Sequence, residues 1–74
     1  MPNQVPIKNN IQKYRKLRGI TQENFAQELG VTREYLSKLE NQRYCAGTDL
    51  MEKVCRRFGV GLGEMFYISD EGLR

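Results

Sequence analysis

Apolar side chains recur at helical spacing along the middle of the chain, and glycines separate one apolar stripe from the next. The first stripe predicts a helix over residues 9–18. It ends at Gly19, because glycine readily adopts the left-handed conformation that stops a helix. Asn9 or Asn10 can cap its amino end. The apolar residues of this stripe are Ile11, Tyr14 and Leu17.

Two more helices follow, and a turn at Gly30 joins them. Thr21 is the predicted cap of the second helix, and Thr32 is the cap of the third, which runs to Glu40. An apolar residue stands before each cap, where it can pack on the first turn of its helix. Two short helices joined by a glycine turn form a bihelical motif when their apolar faces meet. The facing residues are Phe25, Ala26, Leu29, Val31, Leu36 and Leu39.

The carboxyl-terminal part adds two helices after a loop over 41–47. Thr48 caps the fourth helix, and Gly59 ends it. A short fifth helix is predicted near 62–66. The buried stripe of the fourth helix consists of Met51, Val54, Cys55 and Phe58.

The predicted fold class is all-α, with one compact five-helix domain over 9–66. A chain of 74 residues has room for only one such core. Residues 1–8 contain two prolines and little helical periodicity, which predicts a flexible amino-terminal arm. Residues 67–74 are predicted to form a tail.

The composition argues against several classes of function. The chain has no histidine and only two cysteines, so neither a four-ligand Cys/His zinc site nor a disulfide framework is available. Cys55 is expected in the core and Cys45 as a free thiol in a loop. We expect no enzyme activity, cofactor, metal or small-molecule ligand. No long apolar run or secretory signal occurs, which predicts a cytoplasmic protein that does not enter a membrane.

The basic residues are concentrated in the first part of the chain. Residues 1–44 carry eight Lys and Arg against four acids, a net charge of +4, whereas residues 45–74 carry four against five, a net charge of −1. A positive half suits a polyanionic partner, because Lys and Arg release the counterions condensed on phosphate groups. By charge alone, an ordinary solvated surface is the favoured interpretation, because many ordinary domains are equally basic.

The third helix carries the residues that distinguish these two interpretations. Its inner face packs on the second helix, so its outer face is polar and hydrogen-bonding. In a bihelical motif, the second of the two helices can enter the DNA major groove and contact base edges. The outward residues are Arg33, Glu34, Ser37 and Lys38.

The chain resembles the Xre/Cro-type, phage repressor-like helix-turn-helix regulators over about residues 9–66. The resemblance rests on IQKYRKLRGITQENFAQELGVTREYLSKLEN and on the later LMEKVCRRFGVGLGEMF. It implies a lambda-repressor-like five-helix fold that binds double-stranded DNA. The pairs and short motifs that occur together in register are Thr21-Gln22, Phe25-Ala26, Leu29-Gly30-Val31-Thr32, Leu36-Ser37 and Leu39-Glu40-Asn41.

The resemblance also implies roles for individual residues. A partly buried ion pair between Arg15 and Glu40 would tie the first helix to the end of the third. Tyr35 either packs against the second helix or contacts the DNA backbone. Tyr44 either contacts a phosphate or is a plain loop residue. The residues expected to contact bases are Thr32, Arg33, Glu34, Ser37 and Lys38. The residues expected to contact phosphates are Gln22, Asn41, Arg43 and Tyr44.

Three positions depart from the family pattern. Gln42 stands where glycine is usual, Ala46-Gly47 replaces a Pro-Ser entry to the fourth helix, and Gly61 replaces a Ser or Thr cap. These departures concern the loop after the third helix and the ends of the last two helices. They leave the residues of the proposed DNA-reading helix unaffected.

The predicted function is therefore sequence-specific DNA binding as a transcriptional regulator. One such module contacts few base pairs, so we expect a homodimer on a pseudo-palindromic operator. Its contact surface is expected on the fifth helix and the tail. An antitoxin or another protein-interaction module built on the same fold is the alternative. The residues expected at the dimer surface, some of which must also close the core, are Met65, Phe66, Tyr67 and Ile68.

Overall fold

The computed structural model describes residues 7–68, which form five helices and two short strands. The first helix begins two residues later than the predicted range, and the fourth begins at Thr48 itself, with Gly47 at the cap position. None of the helices in residues 7–68 is long and apolar enough to cross a membrane. The elements in chain order are β1 (Ile7–Asn9), α1 (Ile11–Leu17), α2 (Gln22–Leu29), α3 (Arg33–Glu40), α4 (Thr48–Phe58), α5 (Leu62–Met65) and β2 (Phe66–Ile68).

The two strands correct the all-α expectation. Strand β1 pairs antiparallel with β2, with Lys8 opposite Tyr67, and the Asn10 N–H donates to the Met65 carbonyl at 2.8 Å to continue the pairing. The folded unit therefore includes residues assigned to the arm and the tail, at 7–8 and 67–68. Three-residue strands are too short to show an alternating pattern, so the sequence indicated no sheet. The rest of the predicted arm and tail lies outside the described residues.

The core is formed by side chains from all five helices, the loop before α4 and strand β2. Phe25 and Phe58 pack with ring centroids 5.2 Å apart, and Tyr14 lies against Phe58 at 5.8 Å. Each large buried side chain contributes roughly 1.5–3 kcal/mol relative to exposure. The buried apolar residues are Ile11, Phe25, Ala26, Leu29, Leu36, Leu39, Ala46, Val54, Phe58, Met65 and Phe66.

The first four helices end in the same way. In each, the residue after the last turn has a positive φ, and its N–H and the next N–H return to carbonyls of the last turn, which is a Schellman motif. Glycine occupies this position in three helices, as predicted for Gly19, Gly30 and Gly59. In α3 the position is held by Gln42, with φ at 65°.

The starts of the helices follow the predicted caps only in part. The Thr21 hydroxyl accepts from the Asn24 N–H at 3.1 Å, as predicted. At α1 the buried Asn9 side chain accepts from the Ile11 N–H at 3.1 Å, although Asn10 occupies the cap position. Gly61 has no side chain to cap α5, and its own N–H donates to the Glu64 carboxylate at 2.8 Å.

The two cysteines lie in different surroundings. Cys45 is exposed in the loop before α4, whereas Cys55 is half-buried and packs against the core. Burial raises the pKa of the Cys55 thiol, and the negative charge of Glu64 raises it further. The thiol of Cys55 is therefore held in its neutral form.

Candidate nucleic-acid interface

Helices α2 and α3 are held together as a rigid pair. Gly30, at φ 76°, turns the chain between them, and the Val31 N–H donates to the Ala26 carbonyl at 3.0 Å. Ala26 is 2% exposed, and its small side chain lets the two helices approach closely. The burial of Leu36 and Leu39 fixes which face of α3 remains outside.

The outer face of α3 is polar and accessible. Arg33, Glu34 and Lys38 are exposed, and Ser37 is half-buried. The Thr32 hydroxyl oxygen accepts from the Tyr35 N–H at 3.0 Å and so caps the helix, which leaves its hydroxyl proton to donate elsewhere. Eight helical residues span about 12 Å, a length comparable to the width of a DNA major groove. This face therefore has the size and chemistry to contact base edges.

The cations of this surface differ from the two arginines on α4. Arg56 pairs with Glu52 at 2.9 Å and Arg57 with Glu28 at 2.6 Å, so neighbouring acids compensate both charges. Within residues 7–68, no acidic side chain pairs with Arg33, Lys38 or Arg43. Uncompensated cations attract phosphate more strongly than paired ones. The positive charge is thus available on the side of the molecule that carries α3.

A buried ion pair connects α1 to the end of α3. Arg15 Nε donates to Glu40 Oε2 at 2.7 Å and Nη2 donates to Oε1 at 3.0 Å, a bidentate arrangement. The Glu40 side chain is fully buried and that of Arg15 is 7% exposed. The pair is therefore more deeply buried than the resemblance implied. Because α1 belongs to the core, this pair holds α3 in place relative to the rest of the domain.

Gln22 contacts the same carboxylate. Its Nε2 donates to Glu40 Oε1 at 3.0 Å, and the side chain is half-buried at the first residue of α2. This hydrogen bond uses one of the two amide protons of Gln22. One amide proton remains for a phosphate, so the structure gives Gln22 an internal contact that the resemblance did not imply.

The loop after α3 presents the remaining predicted phosphate contacts. Asn41 and Arg43 are exposed. Tyr44 is 41% exposed, and its ring packs on that of Tyr35 with centroids 5.5 Å apart. Lys38 Nζ lies 5.7 Å from the centre of the Tyr44 ring, a cation–π contact. Tyr35 is half-buried against the core, so its ring and the Tyr44 ring form a small aromatic pair beside α3.

Gln12 and Lys16, which the sequence analysis did not assign to the interface, lie beside it. An open cleft of about 550 Å³ lies beside the start of α2 and is lined by Gln12, Lys16, Gln22 and Arg33, among others. From the sequence, Lys16 is simply a cation in the last turn of the first helix, where it complements the helix dipole. Gln12 and Lys16 are four residues apart, so they lie one turn apart on the same face of α1. This spacing is the feature of the sequence that relates Lys16 to the cleft.

Comparison with known proteins agrees with this geometry. The family model described as Helix-turn-helix matches residues 11–65. An uncharacterized HTH-type transcriptional regulator, MJ0272 of Methanocaldococcus jannaschii, is 34% identical over 65 residues, which cover 88% of this chain and 98% of that protein. The hypothetical transcription factor NHTF from Neisseria has a similar structure, with a TM-score of 0.68 and 28% identity. That match covers 86% of this chain and 74% of the other.

A further relative bears on the alternative function. Antitoxin PezA of Streptococcus pneumoniae is 37% identical over 54 residues, which cover 73% of this chain but only 34% of the antitoxin. The likeness is therefore confined to one part of that longer protein. From the extent of the family match and the identity to MJ0272, the chain belongs to the Xre/Cro-type helix-turn-helix family of DNA-binding transcriptional regulators.

Proposed function

We propose that this regulator recognises a specific DNA sequence by placing α3 in the major groove. The observation that carries the proposal is the outer face of α3, whose cations have no acidic partner within the described residues. The buried Arg15–Glu40 pair and the packing of Leu36 and Leu39 give this face a fixed orientation. A helix already held in place loses little backbone entropy when it binds.

The side chains of α3 divide by chemistry. Arg33 and Lys38 are donors suited to guanine N7 and O6, while Ser37 and Thr32 can donate to bases or phosphates. Glu34 can accept from the amino group of cytosine or repel phosphate groups that approach in a wrong register. Its carboxylate is exposed and forms no ion pair with Lys38, one turn later, so it is available for either role.

Phosphate contacts come from both ends of the helix pair. Gln22 at the start of α2, together with Asn41, Arg43 and Tyr44 after α3, can hold the DNA backbone on either side of the groove. These contacts fix register and carry no sequence information. Lys16, in the cleft beside Gln22, joins this group because its side chain lies near the same end of α2.

The test is a titration of alanine variants against the cognate duplex and a scrambled duplex at several salt concentrations, after selection of the site from random DNA. Arg33→Ala and Lys38→Ala are expected to weaken cognate binding by about 1–3 kcal/mol and to relax the preference at particular base pairs. Arg43→Ala is expected to weaken all duplexes alike and to lower the salt slope by about one. Gln22→Ala and Asn41→Ala should also weaken all duplexes, without changing that slope.

A matched control uses a cation on α4. Arg56 already pairs with Glu52 and is exposed, so Arg56→Ala should change binding to either duplex only slightly. If Arg33→Ala and Lys38→Ala reduced cognate and scrambled binding equally, α3 would not be the reading helix. If wild-type protein showed no preference among sequences, the proposal of sequence-specific regulation would be wrong.

We also propose a homodimer bound to a pseudo-palindromic operator. Met65 and Phe66 close the core, so they do not form the contact. Tyr67 is 42% exposed and Ile68 63% exposed on β2, and Leu62, on the adjoining α5, is 59% exposed. We infer that these three side chains contribute to one apolar surface for the contact, because exposed apolar patches are typical of contact sites. A dimer also doubles the number of bases read.

Similarity to an antitoxin supports one alternative, in which the main partner is a protein. Salt dependence distinguishes the two functions, since DNA binding weakens steeply as salt rises, whereas an adaptor has no such dependence on duplex DNA. A cytoplasmic location and the absence of enzyme activity and cofactors remain predictions of this function.

A further inference from the structure

Gln42 occupies the one Schellman position of the described helices that is not a glycine. Its N–H donates to the Leu39 carbonyl at 3.1 Å, and the following N–H, of Arg43, donates to the Lys38 carbonyl at 2.9 Å. At φ 65° a residue with a Cβ is strained, and glycine avoids this strain. A residue under this strain needs compensating contacts.

The side-chain amide of Gln42 makes those contacts with strand β1. Its Oε1 accepts from the Asn9 N–H at 3.0 Å, and its Nε2 donates to the Asn9 carbonyl at 3.0 Å. The same Nε2 donates to the Glu40 carbonyl at 3.2 Å. The amide thus pairs with both polar groups of one residue of β1, as a neighbouring strand would.

Asn9 carries the connection into the core. The residue is 4% exposed, its side-chain Nδ2 donates to the Leu39 carbonyl at 2.9 Å, and its Oδ1 accepts from the Ile11 N–H at 3.1 Å. Every polar atom of this buried amide that the structure describes is satisfied. The end of α3, strand β1 and the start of α1 are therefore joined by one hydrogen-bonded network.

We propose that Gln42 is a positioning residue for DNA binding, and that it aims the loop after α3 by anchoring it to the β1–β2 hairpin. The inference rests on the proposed function. Asn41 and Arg43, the phosphate contacts expected in this loop, flank Gln42 directly. Any change in the φ of Gln42 rotates the chain between them, so its amide bonds to Asn9 limit where both side chains can reach.

Two substitutions separate the backbone conformation from the side-chain bonds. Gln42→Gly keeps the left-handed conformation without strain, and Gln42→Asn tolerates it but is one methylene shorter. Both are expected to remain folded while losing the paired contact with Asn9. Amide hydrogen exchange at Asn9 should therefore accelerate at least about tenfold in both variants, since its N–H loses its acceptor.

The functional measurement is a double-mutant cycle between Gln42 and Arg43 on duplex DNA. Gln42→Gly and Gln42→Asn are each expected to weaken cognate and scrambled duplexes about five- to tenfold, within the range known for coupled neighbours. In either Gln42 variant, Arg43→Ala should reduce the affinity for DNA by a distinctly smaller factor than in the wild-type protein. Arg56→Ala, remote from the loop, is the control and should cost the same in all backgrounds.

The outcomes distinguish this inference from the proposed function. If wild-type protein binds a selected site but both Gln42 variants bind equally well, or Arg43→Ala costs the same in every background, Gln42 has only a structural role and the inference is wrong. If the wild-type protein binds no duplex, the proposed function fails, and the inference fails with it.

Discussion

Three nitrogens of the Arg15 guanidinium donate hydrogen bonds. Two contact the Glu40 carboxylate, and Nη1 donates to the Ile20 carbonyl at 2.7 Å. Glu40 in turn accepts from Gln22, so its buried charge is shared by donors from α1 and α2. Removing either partner would leave a buried charge without compensation, which costs far more than the net value of the intact pair.

This arrangement predicts strong coupling between the two residues. Arg15→Met and Glu40→Gln should each lower the free energy of unfolding by roughly 3–5 kcal/mol, and the double variant should lose much less than the sum. Urea unfolding of the four proteins measures the coupling. In the same cycle of variants, the exposed pair Arg56–Glu52 should show a coupling free energy of less than about 1 kcal/mol. Additive losses at Arg15 and Glu40 would contradict the role given to this pair.

At the scale of single residues, the sequence indicated which residues matter but not how deeply they are buried or what they contact. The resemblance implied the pairing of Arg15 with Glu40, and the structure gives its depth and its third member, Gln22. Gln42 was recognised only as a departure from glycine. Its partner, Asn9, lies 33 residues away in the chain, and no local pattern relates two such positions.

At the scale of elements, the residues that end each helix determine the direction in which the chain enters the next helix. Gly30 separates α2 from α3 with a positive φ, while Gly63 lies inside α5 with an ordinary helical backbone. An added Cβ would meet no atom within 4 Å at either position, so the two glycines differ only in backbone conformation.

The two positions should therefore respond oppositely to alanine. Gly30→Ala is expected to lower the free energy of unfolding by roughly 1–2 kcal/mol, because alanine is strained at φ 76°. Gly63→Ala is expected to raise it by about 0.5–1 kcal/mol, because alanine favours the helix. Chemical denaturation measures both. A loss at Gly63 equal to that at Gly30 would show that the strain argument does not explain the turn.

The predicted helices were confirmed because the apolar stripes and glycine stops that define them are local, although the predicted cap at Thr48 was wrong. The β1–β2 hairpin was missed for the opposite reason: its strands contain three residues each and are more than fifty residues apart. What stabilises them is the packing of Phe66 on the core and the amide of Gln42 against Asn9. Neither contact leaves a periodic pattern in the sequence.

At the scale of the whole molecule, an apolar surface and a cationic surface involve different elements. The proposed apolar surface contains Leu62, Tyr67 and Ile68, on α5 and β2, whereas the cations proposed to contact DNA, Arg33, Lys38 and Arg43, belong to α3 and its loop. A second copy on the apolar surface would therefore leave both reading helices available. For two half-sites, we expect a spacing of about one turn of DNA, roughly 10 bp.

The dimer is tested by placing a charge on this surface. Ile68→Lys should raise the concentration needed for dimerisation by at least about tenfold, since burying an unpaired ammonium opposes association. Sedimentation equilibrium measures it, and a footprint reduced to one half-site should accompany the loss. Leu17 is 73% exposed on α1, outside this surface, so Leu17→Lys is the matched control. A wild-type protein that is monomeric at all concentrations would exclude the dimer.

The sequence by itself determined the number and type of the helices, the caps at Thr21 and Thr32 and the polar outer face of α3. Apolar periodicity, cap residues and glycine stops act over a few residues, so they can be read directly along the chain. The tertiary structure alone decided the hairpin, the depth of the Arg15–Glu40 pair and the partner of Gln42. These depend on contacts between residues far apart in sequence, which exist only once the core has brought them together.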